Sequence, residues 1–324
     1  VDPRARRTGS RAAPAQRGAA LRTGLAVLVG LLVAATSAAC VPEATSDEPD
    51  ATVRAARPSP LGAHVLAGID VSVAQARLDR ERRVVQVRVA NDSAVDVTVV
   101  EGRLTTPGAA GIAVSTRGRA VRSGVERDLS VGLGTPRCLG PRATAPSGTP
   151  QVELDLVDDD GRTALWRGTP DDPNGVLDRI HREDCAAVAV ASGARLSLDP
   201  RVTYSYPGDG RVVGSVTLWL EPVPGGPRVE VVRVDGTTLL TPEGGAASWP
   251  VALDSAVGPG NVTLAFEPAR CDPHAVAEDK RGAFLGVHAR VDGVEQEVVH
   301  LSPGDTLRGE IHDYVGAACG WPQE

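Results

Sequence analysis

The sequence predicts an all-β chain: two tandem copies of an immunoglobulin-like β-sandwich domain, placed after a signal peptide and a disordered tether. Three observations carry this. Short Val-rich segments alternate apolar and polar residues with period two. Asp-Gly pairs punctuate them. An internal repeat returns the same landmarks, cysteines included, in the same order.

The alternation is clearest at Val85-Gln86-Val87-Arg88-Val89 and Val152-Glu153-Leu154-Asp155-Leu156. Successive side chains of a strand point to opposite faces, so each segment offers one apolar face to a core. Residues 97–100, 129–133, 216–220, 229–234, 262–266 and 284–291 add further strands, and Asp160-Gly161, Asp235-Gly236 and Asp292-Gly293 are expected as hairpin turns.

The repeat sets the organisation. Arg83-Val84-Val85 recurs as Arg211-Val212-Val213, and Pro136-Arg137-Cys138 is answered by Ala269-Arg270-Cys271. Leu177, Ile180 and Cys185 are answered by Leu307, Ile311 and Cys319, and the two Cys-to-Cys separations differ by one residue. The expected boundaries are 1–39 for a signal peptide, 40–63 for a lipidated Cys and tether, 64–187 for the first copy and 188–324 for the second. A duplicated domain reuses its internal staple, so the expected disulfides are Cys138 with Cys185 and Cys271 with Cys319. No Trp stands between the paired Cys where immunoglobulin domains carry one, so the expectation concerns architecture only.

Arg4, Arg6, Arg7, Arg11, Arg17 and Arg22 precede an apolar run over 25–36 that ends in Ser37-Ala38-Ala39-Cys40. A basic leader, a short apolar run and a small-residue stop are the parts of a secretory signal peptide, and the run is shorter than the roughly 20 residues of a spanning helix. The last four residues resemble the lipobox of bacterial lipoproteins, with Ser37 where an aliphatic residue is commonest. That resemblance implies diacylglyceryl attachment at Cys40, cleavage before it and a membrane anchor on the extracytoplasmic face. An uncleaved, single-pass signal anchor is the alternative. Residues 41–61 are rich in Pro, Ser, Thr and charge without periodicity, and about twenty such residues span roughly 25 Å as a flexible tether.

Composition bounds the partners. Lys280 is the single Lys among 34 basic residues and there is no Met, a high-GC bacterial pattern. With leader, tether and composition taken together, the chain is similar to actinobacterial secreted lipoproteins of unknown function, which implies location only. Loss of residues 1–39, which hold six Arg and one Asp, takes the net charge from −7 to −12, which disfavours nucleic acid. Partners are expected to be the membrane, through Cys40, and an envelope protein or cell-wall component.

No Gly-x-Ser-x-Gly elbow, His-Glu-x-x-His, Cys-x-x-Cys, P-loop or dinucleotide fingerprint occurs. The expectation is a non-enzymatic binding or scaffolding ectodomain without a cofactor. The densest polar cluster is Asp272, His274, Glu278 and Asp279 with Lys280, which could take a metal or a small basic ligand and makes a metal- or ligand-binding receptor the alternative. Asp158-Asp159-Asp160-Gly161 has consecutive rather than alternate carboxylates, so it reads as a turn and not a calcium loop. His288, His300 and His312 are expected on the surface, and Trp166, Trp219 and Trp249 in the core or at strand edges.

Overall fold

The computed structural model describes residues 60–140, 147–208, 210–278 and 282–322. The signal peptide, Cys40 and the expected tether to residue 59 lie outside the described residues. The chain is mostly strand, arranged in antiparallel sheets without a barrel.

The first sandwich opens with a one-turn helix α1 (Ala63–Leu66), then β1 (Ile69–Ala74), a 3-10 turn (Arg77–Asp79), β2 (Val84–Asn91), β3 (Val97–Thr105), β4 (Ala113–Ser115), β5 (Arg119–Val121), β6 (Val125–Gly132), β7 (Gln151–Asp158) and β8 (Thr163–Gly168). One sheet has the order β1-β2-β6. The other runs β4-β3-β7-β8, with β5 also on β3. Val85, Val87 and Val89 of β2 and Val152, Leu154 and Leu156 of β7 belong to one buried cluster, because the period of two turns each set inward. A three-stranded sheet packed on a five-stranded one, with these neighbours, is the immunoglobulin-like sandwich architecture the alternation predicts.

The chain then enters α2 (Val176–Gly193), an 18-residue helix the strand-only reading did not anticipate. Its signal was present: Val176, Leu177, Ile180, His181 and Cys185 are buried with helical spacing on one face. Asp172 starts it by accepting the N–H groups of Val176 at 2.7 Å and Leu177 at 2.9 Å. The helix ends at Gly193 and β9 (Ala194–Leu198) begins at the next residue. A β-carbon on Gly193 would stand 2.2 Å from the carbonyl oxygen of Pro227, so only glycine fits where the helix end meets the following domain's backbone.

The second sandwich continues with β10 (Thr203–Ser205), β11 (Val213–Pro222), β12 (Val229–Asp235), β13 (Leu240–Pro242), β14 (Ser248–Asp254), β15 (Gly260–Pro268), the short α3 (Pro273–Glu278), β16 (Leu285–Val291), β17 (Val294–Glu295), β18 (Val299–Leu301) and α4 (Gly304–Ala318). Its sheets repeat the first pattern. β9 and β10 pair with β11, and β11 with β15; opposite, β14-β12-β16 carries β17 and β18. The correspondence reaches the irregularities: β3 bulges at Val100 and β12 at Val232, and both extra valines are exposed.

Two of the expected hairpins form. Gly161 closes β7 to β8, and Asp292-Gly293, both at positive φ, joins β16 to β17 as a two-residue turn of the type right-twisted strands favour. Asp235-Gly236 does not make a hairpin. β12 pairs with β14 and β16, and β13 pairs with β15 in the opposite sheet, so this pair carries the chain between sheets. A β-carbon on Gly236 would meet Pro242, Ala247 and Leu240 at 3.0 to 3.2 Å, which identifies close approach as the reason for glycine there.

Apolar side chains collect into two separate clusters. Leu61, Val65 and Val176, Leu177 and Ile180 of α2 close the first; Val190, Ala194, Phe266, Leu307, Ile311 and Tyr314 belong to the second. Thus α2 contributes to both cores, and position 187/188 falls inside it.

Candidate functional site

The two sandwiches meet along α2, and the candidate site is the cleft at that junction. α2 lies against β1 of the first sandwich and against β16 and β18 of the second. Arg182 Nε reaches Glu297 at 3.2 Å across the junction and also pairs with Asp178 one helical turn earlier.

A partly buried ion pair fixes α2 on the first sandwich. Arg83 stands at φ 52° just before β2, a conformation rare for a side-chain-bearing residue. Its carbonyl accepts the N–H of Leu133 at 3.0 Å. Its guanidinium donates to Asp184 through Nε at 2.9 Å and Nη2 at 2.6 Å, and to the carbonyl of Gly134 through Nη1 at 2.6 Å. Burial pushes the Asp184 carboxyl above the usual carboxylate range, and the hydrogen bonds and charge of Arg83 pull against that without cancelling it. The pair therefore specifies where α2 sits more than it adds stability.

Beside this pair lies a cleft of about 210 Å³. The first sandwich and α2 supply Arg80, Glu81, Glu183, Asp184 and Ala187. The second supplies Phe284, Val298, His300 and Ser302. Glu183 is paired with Arg179 at 3.0 Å and Asp184 with Arg83, so two of the carboxylates are already neutralised. Arg80 Nε is buried and makes no hydrogen bond; among the described residues the other such side-chain atom is Nε of Arg308, whose guanidinium lies 5.8 Å from the centre of the Phe284 ring. In the sequence this corner is the charge run Arg80-Glu81-Arg82-Arg83, which carries no sign of a cleft.

Both staples are present. Cys138 is bonded to Cys185 and Cys271 to Cys319, closing separations of 47 and 48 residues. Cys185 is buried with His181 of the preceding turn packed on it; the His181 ring reaches Gly108 O at 3.3 Å. No titratable thiol remains at these four positions.

The polar cluster of the second sandwich is an exposed loop and short helix. Asp272 accepts the N–H of His274 through Oδ1 at 3.0 Å and that of Val276 through its carbonyl, which starts α3; His274 and Glu278 are exposed. Asp279 and Lys280 lie outside the described residues. Among the described residues, no group of three His, Cys, Asp or Glu side chains is placed to hold a metal ion.

The remaining sequence candidates separate. Asp158 organises the β7–β8 turn, accepting from the N–H groups of Asp160 and Arg162 and pairing with Arg162 Nε at 2.6 Å. Burial would raise its pKa, but these partners outweigh burial and hold it below the usual range. His288 pairs with Asp235 at 2.7 Å, His300 lines the cleft and His312 lies on α4, so the three do not converge on one site. Trp249 is buried with its indole N–H on Ala265 O, and Trp166 packs at the edge of the first core. Trp219 departs from expectation: it stands 40% exposed on the outer face of β11 and donates to Asp199 at 2.8 Å.

No family model matches the chain, and no curated protein matches it. Solved structures similar to parts of it include an Amycolatopsis orientalis exo-chitosanase, 14% identical over 72% of this chain and 26% of that one, with a TM-score of 0.17. Another is red sea bream transglutaminase, 11% identical over 72% and 32%, with a TM-score of 0.20. A third is the BSP domain of a biofilm associated protein, 8% identical over 72% and 58%, with a TM-score of 0.21. The chain spans about a quarter of the length of the exo-chitosanase. Among the described residues, no helix is long and apolar enough to cross a membrane.

Proposed function

We propose that this is a lipid-anchored protein of the cell envelope whose ectodomain is a non-catalytic binding or scaffolding module. The observation that carries the binding half is the junction: two stapled sandwiches share one helix, meet without a flexible linker at Gly193 and leave a polar cleft between them. A surface of fixed shape made from two modules suits recognition, because little order has to be imposed when a partner binds. The anchoring half rests on the lipobox-like Ser37-Ala38-Ala39-Cys40 after a basic and apolar leader. Two disulfides are compatible with an oxidising, extracytoplasmic compartment.

Cell fractionation with mass spectrometry of the N-terminus tests it. Wild-type protein should partition with membranes and begin at an acylated Cys40, and Cys40→Ser should accumulate as uncleaved precursor. A mature N-terminus downstream of Cys40 in wild-type cells would overturn the anchor. For the binding half, a photo-crosslinker at Ala187, on the cleft rim, should give a discrete adduct in intact cells that a crosslinker at exposed Val257 does not; identical patterns from both would overturn it.

A further inference from the structure

We infer that the junction cleft is a binding site for a small carboxylate with an apolar tail, anchored by Arg80 and packed against Phe284. This rests on the reading of the ectodomain as a binding module and not on the lipid anchor.

The starting point is an unmet donor. Leaving a buried polar atom without a partner forfeits its hydration, so such atoms are few in native proteins and each calls for a cause. Arg80 is not left loose: its carbonyl accepts the N–H of Arg83 at 3.1 Å, closing the turn before β2, and this fixes the root of the side chain. Its Nε is buried and unbonded, and Arg80 is one of the residues that line a cleft open to solvent. The guanidinium presents a planar fork of donors, which matches the two oxygens of a carboxylate.

The surroundings choose among anions. Glu183 and Asp184 are engaged by Arg179 and Arg83, while Glu81 stands next to Arg80 with no ion pair among the described residues. A dianion such as phosphate would meet that remaining negative charge twice over, so a monoanion is favoured. Opposite, Phe284 and Val298 offer apolar surface, and the Arg308 guanidinium stacks over the Phe284 ring 5.8 Å from its centre. Ser302 adds a hydroxyl at the rim. The volume is below the 300–1,000 Å³ of ordinary small-molecule sites, which limits the occupant to a short acid or the carboxyl-terminal residue of a peptide.

Calorimetric titration of the full-length chain in detergent tests the site. The probes are 3-phenylpropionate, its amide, an acetylated dipeptide ending in a free phenylalanine carboxylate, and inorganic phosphate. The expected result is saturable binding of at least one carboxylate, at least tenfold weaker binding of the amide and of phosphate, and at least tenfold loss in Arg80→Gln. Preference for the phenylpropionate or for the dipeptide assigns the source as a free acid or a peptide terminus. Arg77→Gln, in the preceding turn and off the cleft, should bind as wild type. If Arg80→Gln does not fold by circular dichroism, Ser302→Asp serves instead and should abolish binding by repulsion. Absence of saturable binding, equal affinity for acid and amide, tighter binding of phosphate, or wild-type affinity in the Arg80→Gln and Ser302→Asp variants would overturn the inference. Loss of the site with an intact anchor and Ala187 adduct would leave the broader binding role standing.

Discussion

The first and second sandwiches share a strand order, a bulge and a staple, yet their C-terminal helices do different work. α4 belongs to its own core: Tyr314 is fully buried, stacks edge-on against Phe266 at 5.1 Å, and its one hydroxyl proton is shared between the carbonyls of Phe266 at 2.8 Å and Val212 at 3.0 Å. α2 has no aromatic residue. It leans on the first core through Val176, Leu177 and Ile180, is pinned by Arg83 to Asp184, and hands Val190 to the second core. The lesson is that the same helix position can serve as plug or joint. The aromatic plug makes a self-contained end, whereas an aliphatic helix held by one ion pair can be shared.

The largest effect expected from breaking this comparison comes from the staples. Each loop of 47 or 48 residues corresponds to about 4 kcal/mol of loop entropy in the chain-entropy model. Cys271→Ser with Cys319→Ser should destabilise α4 and the second core. The matching pair Cys138→Ser with Cys185→Ser should be felt in both sandwiches, because α2 serves both; hydrogen exchange of β15 in that variant reads the difference.

Arg83→Ala should cost about 2 kcal/mol at neutral pH, since it leaves the Asp184 carboxylate largely buried without its counter-ion, with some relief from residual solvent access. The Asp184 pKa is already raised in the folded state, and the variant raises it further. The deficit should therefore shrink as pH falls toward the carboxylate range and grow as pH rises through it. Denaturant melts at several pH values check this. A deficit independent of pH would mean that Arg83 acts through its backbone conformation instead.

Tyr314 sharpens the other side. Burial pushes its phenol up to about 12, against about 10 in an unfolded chain. The unfolded state then loses its proton first, so stability should fall between pH 10 and pH 12, by an amount on the order of 2 kcal/mol. Tyr314→Phe should remove that alkaline slope while losing stability at neutral pH through loss of the buried hydroxyl's hydrogen bond.

The sequence made the sandwiches legible because Val85, Val87 and Val89 of β2, Val152, Leu154 and Leu156 of β7 and Val216, Leu218 and Leu220 of β11 are buried at alternate positions, and because the cysteines recur at spacings of 47 and 48 residues. The helices were missed for a physical reason. Leu177, Ile180 and Cys185 stand out in the sequence as repeat landmarks, but three positions matched across a repeat do not by themselves display the buried face of a helix. The sheet switch at Asp235-Gly236 was equally hidden, since a glycine needed for close approach and one needed for a turn look alike in a sequence. The cleft was not legible at all. Arg80 lies in an ordinary charge run, and Phe284, Val298, His300 and Ser302 come to it only through the packing of α2 on β16 and β18.

Differential scanning calorimetry of the oxidised full-length chain tests the shared helix most directly. With Val176 to Ile180 in one core and Val190 in the other, the two sandwiches should melt in a single transition, and Gly193→Ala, which drives a β-carbon toward Pro227 O, should lower that whole transition. Two separate transitions, with Gly193→Ala moving only one of them, would contradict the account and leave α2 as a linker between independent domains.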